Sequence, residues 1–464
     1  MMLPLSALRP TGAEVREMIR LAWPIVLAQV GIMTLGVVDT AMVGRVGPDA
    51  VAAVALGHIY WMNLTVPGIG LLFVLDPVVA QAVGAADGEG VARGVQRGII
   101  MALAVSLPTS LLLLPGEWFF GLLRQPAAVT PLAASYSRWI AIGVVPFYVF
   151  VALRQSLQAM GHTRGIVAAI VGGNALNVVL NWALIYGHLG APRMGAVGSG
   201  VSTAIGRWAM LAIVLWFDRA HLAHVLRPWR AGALRVQPLV RMLAVGIPVA
   251  LQQWLEVAAF AGGAVAIGWI GVQALAAHEV AINLASLTFM VPTGTAAAAA
   301  VMVARAIGRG DGAAARRDSV AALSVGLLFM VAAAIAFLGA PRHLAGVFLA
   351  DADTIVMASS LIAIAGVFQV FDGVQAVCAG ILRGTGDTRV PMLIHLGGFW
   401  GVGAPLGLAL AFGAGLGARG IWFGYLGGLF AVAVAQLARV RWRLSRDITR
   451  LQIDEAAGFA PAAD

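Results

Sequence analysis

Long apolar segments alternate with short polar segments along the whole chain. A helix needs about 20 mainly apolar residues to cross the hydrocarbon core of a bilayer, and twelve segments are of that order. They lie at 17–40, 50–77, 94–115, 131–152, 164–187, 195–217, 239–262, 273–302, 318–339, 355–378, 390–413 and 418–439. The pattern therefore predicts an all-α integral membrane protein with twelve transmembrane helices.

The basic residues of the polar segments predict how these helices are oriented. The sequence has no lysine, so all 30 basic residues are arginine. With the amino terminus inside, 23 arginines lie on the inner side, six lie outside and one, Arg207, lies within a span. Cytoplasmic loops carry the excess of positive charge, so both termini are predicted to be cytoplasmic. The first span follows the charged segment Arg9 to Arg20 with no small-residue cleavage site and is predicted to stay uncleaved.

Composition excludes other classes of protein. With 60% hydrophobic and 11% charged residues, and a mean hydropathy of +0.90, the chain is too apolar for soluble domains. The net charge of +9 raises the alternative of a nucleic-acid partner, but the arginines are dispersed at membrane boundaries and no basic aromatic module accompanies them. Membrane lipid headgroups are their expected partners. The single cysteine, Cys378, excludes an internal disulfide.

The sequence matches itself when it is shifted by 224 or 225 residues. At 224, Gly47 falls on Gly271 and Gly84 on Gly308, and at 225 the string "AMGHTR" falls on "GTGDTR". Each half holds six spans, an even number, so both halves enter the membrane in the same sense, as in two-lobe transporters. The predicted parts are an N-terminal six-helix lobe at 1–217, a cytoplasmic linker at 218–238, a C-terminal six-helix lobe at 239–441 and a cytoplasmic tail at 442–464.

Three carboxylates inside predicted spans, Asp39, Glu256 and Asp372, are the main candidates for chemistry. An ionised group at mid-helix costs about 2.5–3.5 kcal/mol on insertion scales, so each needs a reason. The equivalent positions in the other half are not acidic, so the fold itself does not require these acids. A buried carboxylate can take up a proton or bind sodium, and either ion competes there with a cationic substrate. We therefore predict that these three residues couple ion and substrate movement.

Polar side chains at helical spacing are predicted to line a substrate or polar cavity near these acids. The three asparagines of the fifth span recur at i, i+3 and i+7, which places them on one face beside Asp39. Helix packing is the alternative for them. Gln369, Asp372 and Gln375 form a similar stripe in the tenth span, and Glu279 lies either in the cavity of the second lobe or near the outer membrane surface. The predicted lining residues are Asn174, Asn177, Asn181, Gln369, Glu279 and Asn283.

Other charged and titratable residues have structural interpretations. Asp76 immediately precedes Pro77 and is predicted to cap a broken turn rather than to bind a ligand. Arg207 is predicted either to neutralise a carboxylate or to snorkel to the membrane surface. His221 and His224 lie in the linker, which we predict to be a mobile loop, and two histidines there are more often solvated than a metal pair.

Several motifs resemble the NorM-like branch of the multidrug and toxic-compound extrusion (MATE) family. They occur in the family's order and spread over both halves, so the resemblance covers nearly the whole chain. The matching strings are "VDTAMVGRVG" (38–47), "LNVVLNWALIYG" (176–187), "GAVGSGVSTAI" (195–205), "AAHEVAINLASLTFMVP" (276–292) and "GILRGTGDTR" (380–389).

This resemblance implies a fold of two six-helix bundles that form a V and a function as a monomeric antiporter in the bacterial inner membrane. It implies that sodium or protons drive the export of drugs and other small organic cations, with no cofactor and no catalytic residues. Asp39, with Asn177 and Asn181 nearby, resembles the first-lobe acid of the family. Glu256 and Asp372 resemble the second-lobe cation site of the family. The only metal that the resemblance implies there is a sodium ion. Two departures from the family pattern are Glu279, where glutamine is frequent, and Phe368, where some members carry tyrosine.

Other functions fit the sequence less well than antiport does. A phosphate loop that ends in Gly-Lys-Ser/Thr is excluded without lysine, so the chain alone is no ATP-driven pump. An enzyme would need a nucleophile–base or metal-spaced constellation, which the eight scattered histidines do not provide. The acids inside the spans have no counterpart in the other half. Duplicated halves that differ in this way favour a transporter with alternating access over a channel or a receptor. A flippase for lipid-linked substrates shares the two-bundle plan and is the leading alternative, although a more cationic cavity is expected for it.

Overall fold

The computed structural model describes residues 10–454. The predicted lobe start at 1–9, with Arg9, and the end of the predicted tail at 455–464 lie outside the described residues. Every regular element within 10–454 is a helix. Eleven helical segments in this range are long and apolar enough to cross a membrane, and a helix pair bent by 48° at Gly143 makes a twelfth. The predicted all-α membrane fold is confirmed.

The helices of the first half are α1 (Gly12–Val43), α2 (Pro48–Leu72), α3 (Leu75–Gly84), α4 (Gly88–Leu113), α5 (Gly116–Leu122), α6 (Thr130–Ile142), α7 (Val144–Met160), α8 (Arg164–Tyr186) and α9 (Ala196–Phe217). The connection contains α10 (Arg219–Leu226) and a 3-10 turn (Ala231–Leu234). The second half contains α11 (Val236–Gly268), α12 (Val272–Gly308), α13 (Gly312–Gly339), α14 (Pro341–Gly346), α15 (Ala352–Gly384), α16 (Arg389–His395), α17 (Ala404–Leu408) and α18 (Ala418–Leu444). We call the end of the molecule at which α1 begins and α18 ends the termini face.

Helix ends repeat between the two halves. Gly47 and Gly271, which precede α2 and α12, have φ values of 150° and 149°, a backbone region that favours glycine. Asp87 and Asp311 precede α4 and α13, and each side chain accepts a 2.8 Å hydrogen bond from the backbone nitrogen three residues later. Such caps satisfy donors that the first helical turn leaves unpaired. The internal repeat read from the sequence is therefore also present in the backbone.

One pair of equivalent spans differs between the halves. In the first half, α8 is an uninterrupted α-helix of 23 residues. Its counterpart, Arg389–Gly413, has 25 residues and contains two π-helical segments, Leu396–Gly403 and Ala409–Gly413, on either side of α17. A π-helical turn accommodates an extra residue within a helix and occurs frequently at functional sites.

The two lobes pack closely against each other near the termini face. There α3 lies along α12, and α2 lies along α11. A Cβ atom built on Gly84 would lie only 2.1 Å from the carbonyl oxygen of Arg305, and one built on Gly308 only 2.1 Å from that of Gln81. Each contact joins the backbone of one lobe to that of the other. The glycines are equivalent by the repeat, so the same close contact is made twice.

The chain after α18 crosses from the second lobe to the first. We call residues 445–454 the strap. In the strap, Arg450 Nη2 lies 2.6 Å from Asp87, and Asp454 pairs with Arg93 at 2.8 Å and also with Arg97. Burial alone would raise the pKa of Asp454, but the hydrogen bonds and charges of Arg97 and Arg93 outweigh it and lower this pKa. The strap therefore ties the two lobes together at the termini face.

The connection between the halves is helical and packed, so the prediction of a mobile loop is wrong. Gln96 of α4 donates to the Val225 carbonyl at 2.9 Å and accepts from the Arg230 backbone nitrogen at 2.9 Å. His221 stacks on His162, with 3.7 Å between ring centres. The boundaries of lobes and linker stay predictions.

Candidate functional site

A cavity of about 440 Å³ lies between the two lobes. Pockets for drug-sized molecules measure roughly 300–1,000 Å³. Its walls come from α1, α2 and α7 of the first lobe and from α11, α12 and α15 of the second. The lining includes Glu279, which lies near the start of α12. It also includes Arg383, which lies in the last turn of α15, at the termini face. Apolar side chains such as Met62, Phe260 and Phe289 contribute to the wall.

Two of the predicted coupling residues, Glu256 of α11 and Asp372 of α15, line this cavity. The side-chain amide of Gln375 donates one 3.1 Å hydrogen bond to Glu256 Oε1 and another of 3.1 Å to Asp372 Oδ1. Because one nitrogen contacts both carboxylates, their oxygens lie within about 6 Å of each other. Ionising both carboxylates at this distance costs repulsion energy that a bound cation removes.

His395 extends this cluster and is not among the site residues predicted from the sequence. Its side chain is fully buried, and its Nε2 lies 3.6 Å from Glu256 Oε2. The amide nitrogens of Gln252 and Gln436 lie 3.3 and 3.1 Å from its ring nitrogens. His395 immediately precedes the first π-helical segment. The available signal was a histidine inside the eleventh predicted span, where a polar side chain needs partners.

The α12 candidates separate into one residue in the cavity and one outside it. Glu279 lines the cavity with an exposed side chain, two turns after the start of α12, so its depth relative to the membrane surface stays a prediction. Asn283 is not among the described residues that line the cavity. Its exposed side chain instead donates a 2.7 Å hydrogen bond to the carbonyl of Glu279 on its own helix. Its prediction as a lining residue is therefore wrong, because the helix turns it away.

In the first lobe, Asp39 lies in a separate buried cluster and does not line the cavity described above. Its Oδ1 accepts a 2.5 Å hydrogen bond from Asn181 Nδ2, and its Oδ2 accepts one of 3.0 Å from Thr203 Oγ1. Asn181 also donates to Asn177 Oδ1 at 3.0 Å. The structure thus brings three predicted residues together and adds Thr203, which sequence spacing did not connect to them.

Arg207 remains inside the first lobe, so the prediction that it snorkels is wrong. Only 6% of its surface is exposed. Its guanidinium carbon lies 4.3 Å from the ring centre of Trp61 and 4.9 Å from that of Phe147, a cation–π arrangement. The alternative, that it neutralises a carboxylate, stays a prediction.

Two predicted lining residues contact other helices instead. Asn174 donates a 2.7 Å hydrogen bond to the Gly31 carbonyl of α1, so it joins two helices rather than contacting Asp39. Gln369 is fully buried and donates to Thr288 Oγ1 of α12 at 2.6 Å. Neither side chain lines the cavity, so that prediction is wrong for both, and for Asn174 the alternative of helix packing fits. Asn177 and Asn181 are fully buried beside Asp39 and do not line the cavity either, so their prediction as lining residues is also wrong.

Asp76 does not cap a helix turn, so that prediction is wrong. Its side chain instead takes part in a contact between the lobes. It is fully buried and lies 3.0 Å from the guanidinium Nε of Arg383, which belongs to the second lobe. Gln155 of α7 donates a 2.9 Å hydrogen bond to its other oxygen. The neighbouring Arg154 lines the cavity with Arg383. Sequence alone could not pair Asp76 with Arg383, because the pair exists only where the lobes meet.

These features define a two-lobe, multi-pass helical membrane protein with a cavity between its lobes that is lined by apolar, acidic and basic side chains. The family model described as MatE matches the chain twice, at residues 24–183 and 248–409, once in each half. The chain belongs to the MATE family.

Relatives and solved structures agree with this assignment. The chain is 36% identical to the multidrug resistance protein NorM of Burkholderia vietnamiensis, over 92% of this chain and 93% of the relative. It is also 36% identical to a probable NorM of Mesorhizobium japonicum, over 94% of both chains. In fold it is similar to a MATE in the bent conformation (TM-score 0.85, 20% identity, 95% of this chain and 97% of the other). It is also similar to the eukaryotic MATE transporter AtDTX14 (TM-score 0.83, 21% identity, 93% and 99%).

Proposed function

We propose that this protein is a secondary active multidrug exporter that exchanges sodium or protons for small organic cations. The relatives named multidrug resistance protein NorM support the substrate class. The arginine distribution supports a bacterial inner-membrane orientation with both termini in the cytoplasm. In that orientation the lobes are packed at the cytoplasmic side, which supports an outward-facing state of an alternating-access cycle.

The observation that carries the proposal is the shared amide between Glu256 and Asp372. Two carboxylates joined by the side chain of Gln375 are stable together when a cation neutralises part of their charge. The Oε1 atom of Gln375 is buried without a hydrogen-bond partner in the described part of the chain. The carboxylates of Glu256 and Asp372 offer oxygen ligands of the kind that sodium binds, and the same two groups can take up a proton.

Exchange follows from competition for this negative charge. A cationic substrate in the cavity is attracted to Glu256, Asp372 and Glu279, all of which line it. A proton or sodium ion that binds the first two acids removes the attraction and releases the substrate on the outer side. Return of the ion-loaded protein to the inward-facing state then lets the ion leave and a new substrate bind. Asp39, held by Asn181 and Thr203, is assigned a coupling role in the first lobe.

The test is dye efflux from proteoliposomes under an imposed sodium or proton gradient. The protein is reconstituted as wild type and as Asp39→Asn, Glu256→Gln and Asp372→Asn, and a fluorescent organic cation is followed. Glu117→Gln is the matched control, because Glu117 is an exposed acid that pairs with the exposed Arg138. We expect one gradient to drive wild-type and control efflux and each acid variant to lose it. If neither gradient moves any cation, drug antiport is wrong, and transport of a lipid-linked substrate is measured next.

A further inference from the structure

The cavity contains positive as well as negative side chains. Glu256, Glu279 and Asp372 line one part of it, and Arg154 and Arg383 line another. Along α15, Arg383 follows Asp372 by eleven positions, which at 1.5 Å per residue separates them by about 16 Å. The arginines therefore lie on the termini-face side of the carboxylates, and the cavity has two charged ends.

One carboxylate, Asp76, lies near the two arginines and pairs directly with Arg383 at 3.0 Å. Its hydrogen-bond donor Gln155 is the direct neighbour of Arg154 on α7. Arg383 also lies over the ring of Phe73, with 4.9 Å from the guanidinium carbon to the ring centre. Two arginines and one carboxylate leave this end of the cavity with an excess of one positive charge, and Arg154 is the arginine without an ion pair among the described residues.

Few contacts stabilise the positive charge of Arg154. It is 6% exposed, and its only side-chain hydrogen bond among the described residues is a 3.3 Å contact from Nη1 to Gln29 Oε1. Its Nε is buried without a partner in residues 10–454. A guanidinium presents five N–H donors in a planar fork that matches a carboxylate, and a buried, under-satisfied one is costly. A side chain in this state is pre-arranged for an anionic group that enters the cavity.

We propose that Arg154 forms an anion subsite, which receives the carboxylate of amphoteric substrates whose amine is held at Glu256 and Asp372. This inference rests on the proposed exporter function and adds a second recognition point to it. A purely cationic substrate uses only the acidic end. A substrate that carries both an amine and a carboxylate, at a separation that spans the cavity, contacts both ends. Arg154 thereby sets which of two otherwise equal molecules binds more tightly.

The experiment compares two dyes that differ in one group: a rhodamine with a free carboxylate and the methyl ester of the same rhodamine. Initial rates of gradient-driven efflux from proteoliposomes give KM for each dye with wild type, Arg154→Gln and Arg154→Lys. Arg138→Gln is the matched control, since that arginine is exposed and is not among the described residues that line the cavity. The ester serves as an internal check that each variant is folded and active.

We expect Arg154→Gln to raise KM for the free-acid dye by about tenfold, the effect of losing a charge-assisted hydrogen bond. The ester's KM is expected to stay the same or fall, and Arg154→Lys to recover part of the loss. Equal changes for both dyes, or no change for either, would overturn the inference. If the wild type transports neither dye, the proposed function fails instead. The subsite is then judged by equilibrium binding in detergent, where Arg154→Gln must weaken the free-acid dye alone.

Discussion

Adding one methyl group at Gly84 or Gly308 should push the lobes apart at the termini face. Ordinary contacts of a Cβ atom lie at 3.4–4 Å, whereas the added atoms would lie 2.1 Å from backbone oxygens of Arg305 and Gln81. Each contact partner is backbone, which cannot rotate away as a flexible side chain would. The two lobes must therefore separate by about 1 Å or more at each site.

The magnitude follows from the cost of overpacking. An inserted methyl group in a packed interface costs about 1–3 kcal/mol, so one alanine lowers the closed-to-open ratio at this face by roughly 5- to 150-fold. Because the two sites are repeat-related and both act on the same closure, their effects add in Gly84→Ala/Gly308→Ala. Helix propensity works in the opposite direction, since alanine favours a helix by about 1 kcal/mol over glycine.

The assay is a distance measurement between spin labels at Arg164→Cys and Ala313→Cys, which lie on opposite lobes at the termini face and are exposed. The buried native cysteine, Cys378, is replaced by alanine. We expect the double glycine variant to populate longer distances than the parent protein. Dye efflux should fall as well, because the outward-facing state becomes less populated.

Gly88→Ala/Gly312→Ala is the matched control. These glycines are also equivalent by the repeat and also near the lobe contact in sequence, but a Cβ atom on either would meet nothing within 4 Å. The control should keep the parent distances. If the Gly84 and Gly308 variant gives the same distances and efflux as this control, the added methyl groups do not separate the lobes, and the reasoning is wrong.

Three further substitutions test the other contacts. Asp76→Asn leaves its buried arginine partner without a carboxylate, so we expect a loss of about 3 kcal/mol, seen as a lower melting temperature in detergent; unchanged melting would contradict this. Asp454→Asn should release the strap to proteases at neutral pH. In the parent, the lowered pKa keeps Asp454 ionised and the strap docked until the pH falls below the ordinary range of aspartate, so equal cleavage of parent and variant at neutral pH argues against docking. Gln375→Leu should abolish gradient-driven efflux while Gln369→Leu retains it; equal activity of the two would refute the shared-amide site.

The fold was predictable because its signals are repeated many times along the chain. Apolar length, arginine placement and the self-match each identify membrane spans without knowledge of any contact. The cluster of Asp39 with Asn177 and Asn181 was also predictable in part, because helical spacing places the two amides on one face. What spacing cannot supply is the neighbour of that face.

The failures have this cause in common. Asn174 and Gln369 lie on the predicted polar faces, but each face turns from the interior toward another helix over a few residues. The partners of Asp76 and Arg154 come from the packing of one lobe on the other, which no periodicity within a lobe encodes. His395 gave a signal by its place in an apolar span, yet its contact with Glu256 depends on how two helices, α16 and α11, pack against each other.

The two π-helical segments of Arg389–Gly413 mark where the duplicated halves have diverged. In a π-helical turn the backbone hydrogen bond spans five residues instead of four, so an extra residue is taken up locally and the helix is wider there. The uninterrupted α8 of the first lobe has no such turn. The second lobe therefore has, directly after His395, a backbone geometry that the first lobe lacks, and the two halves of the duplication are not interchangeable at this span.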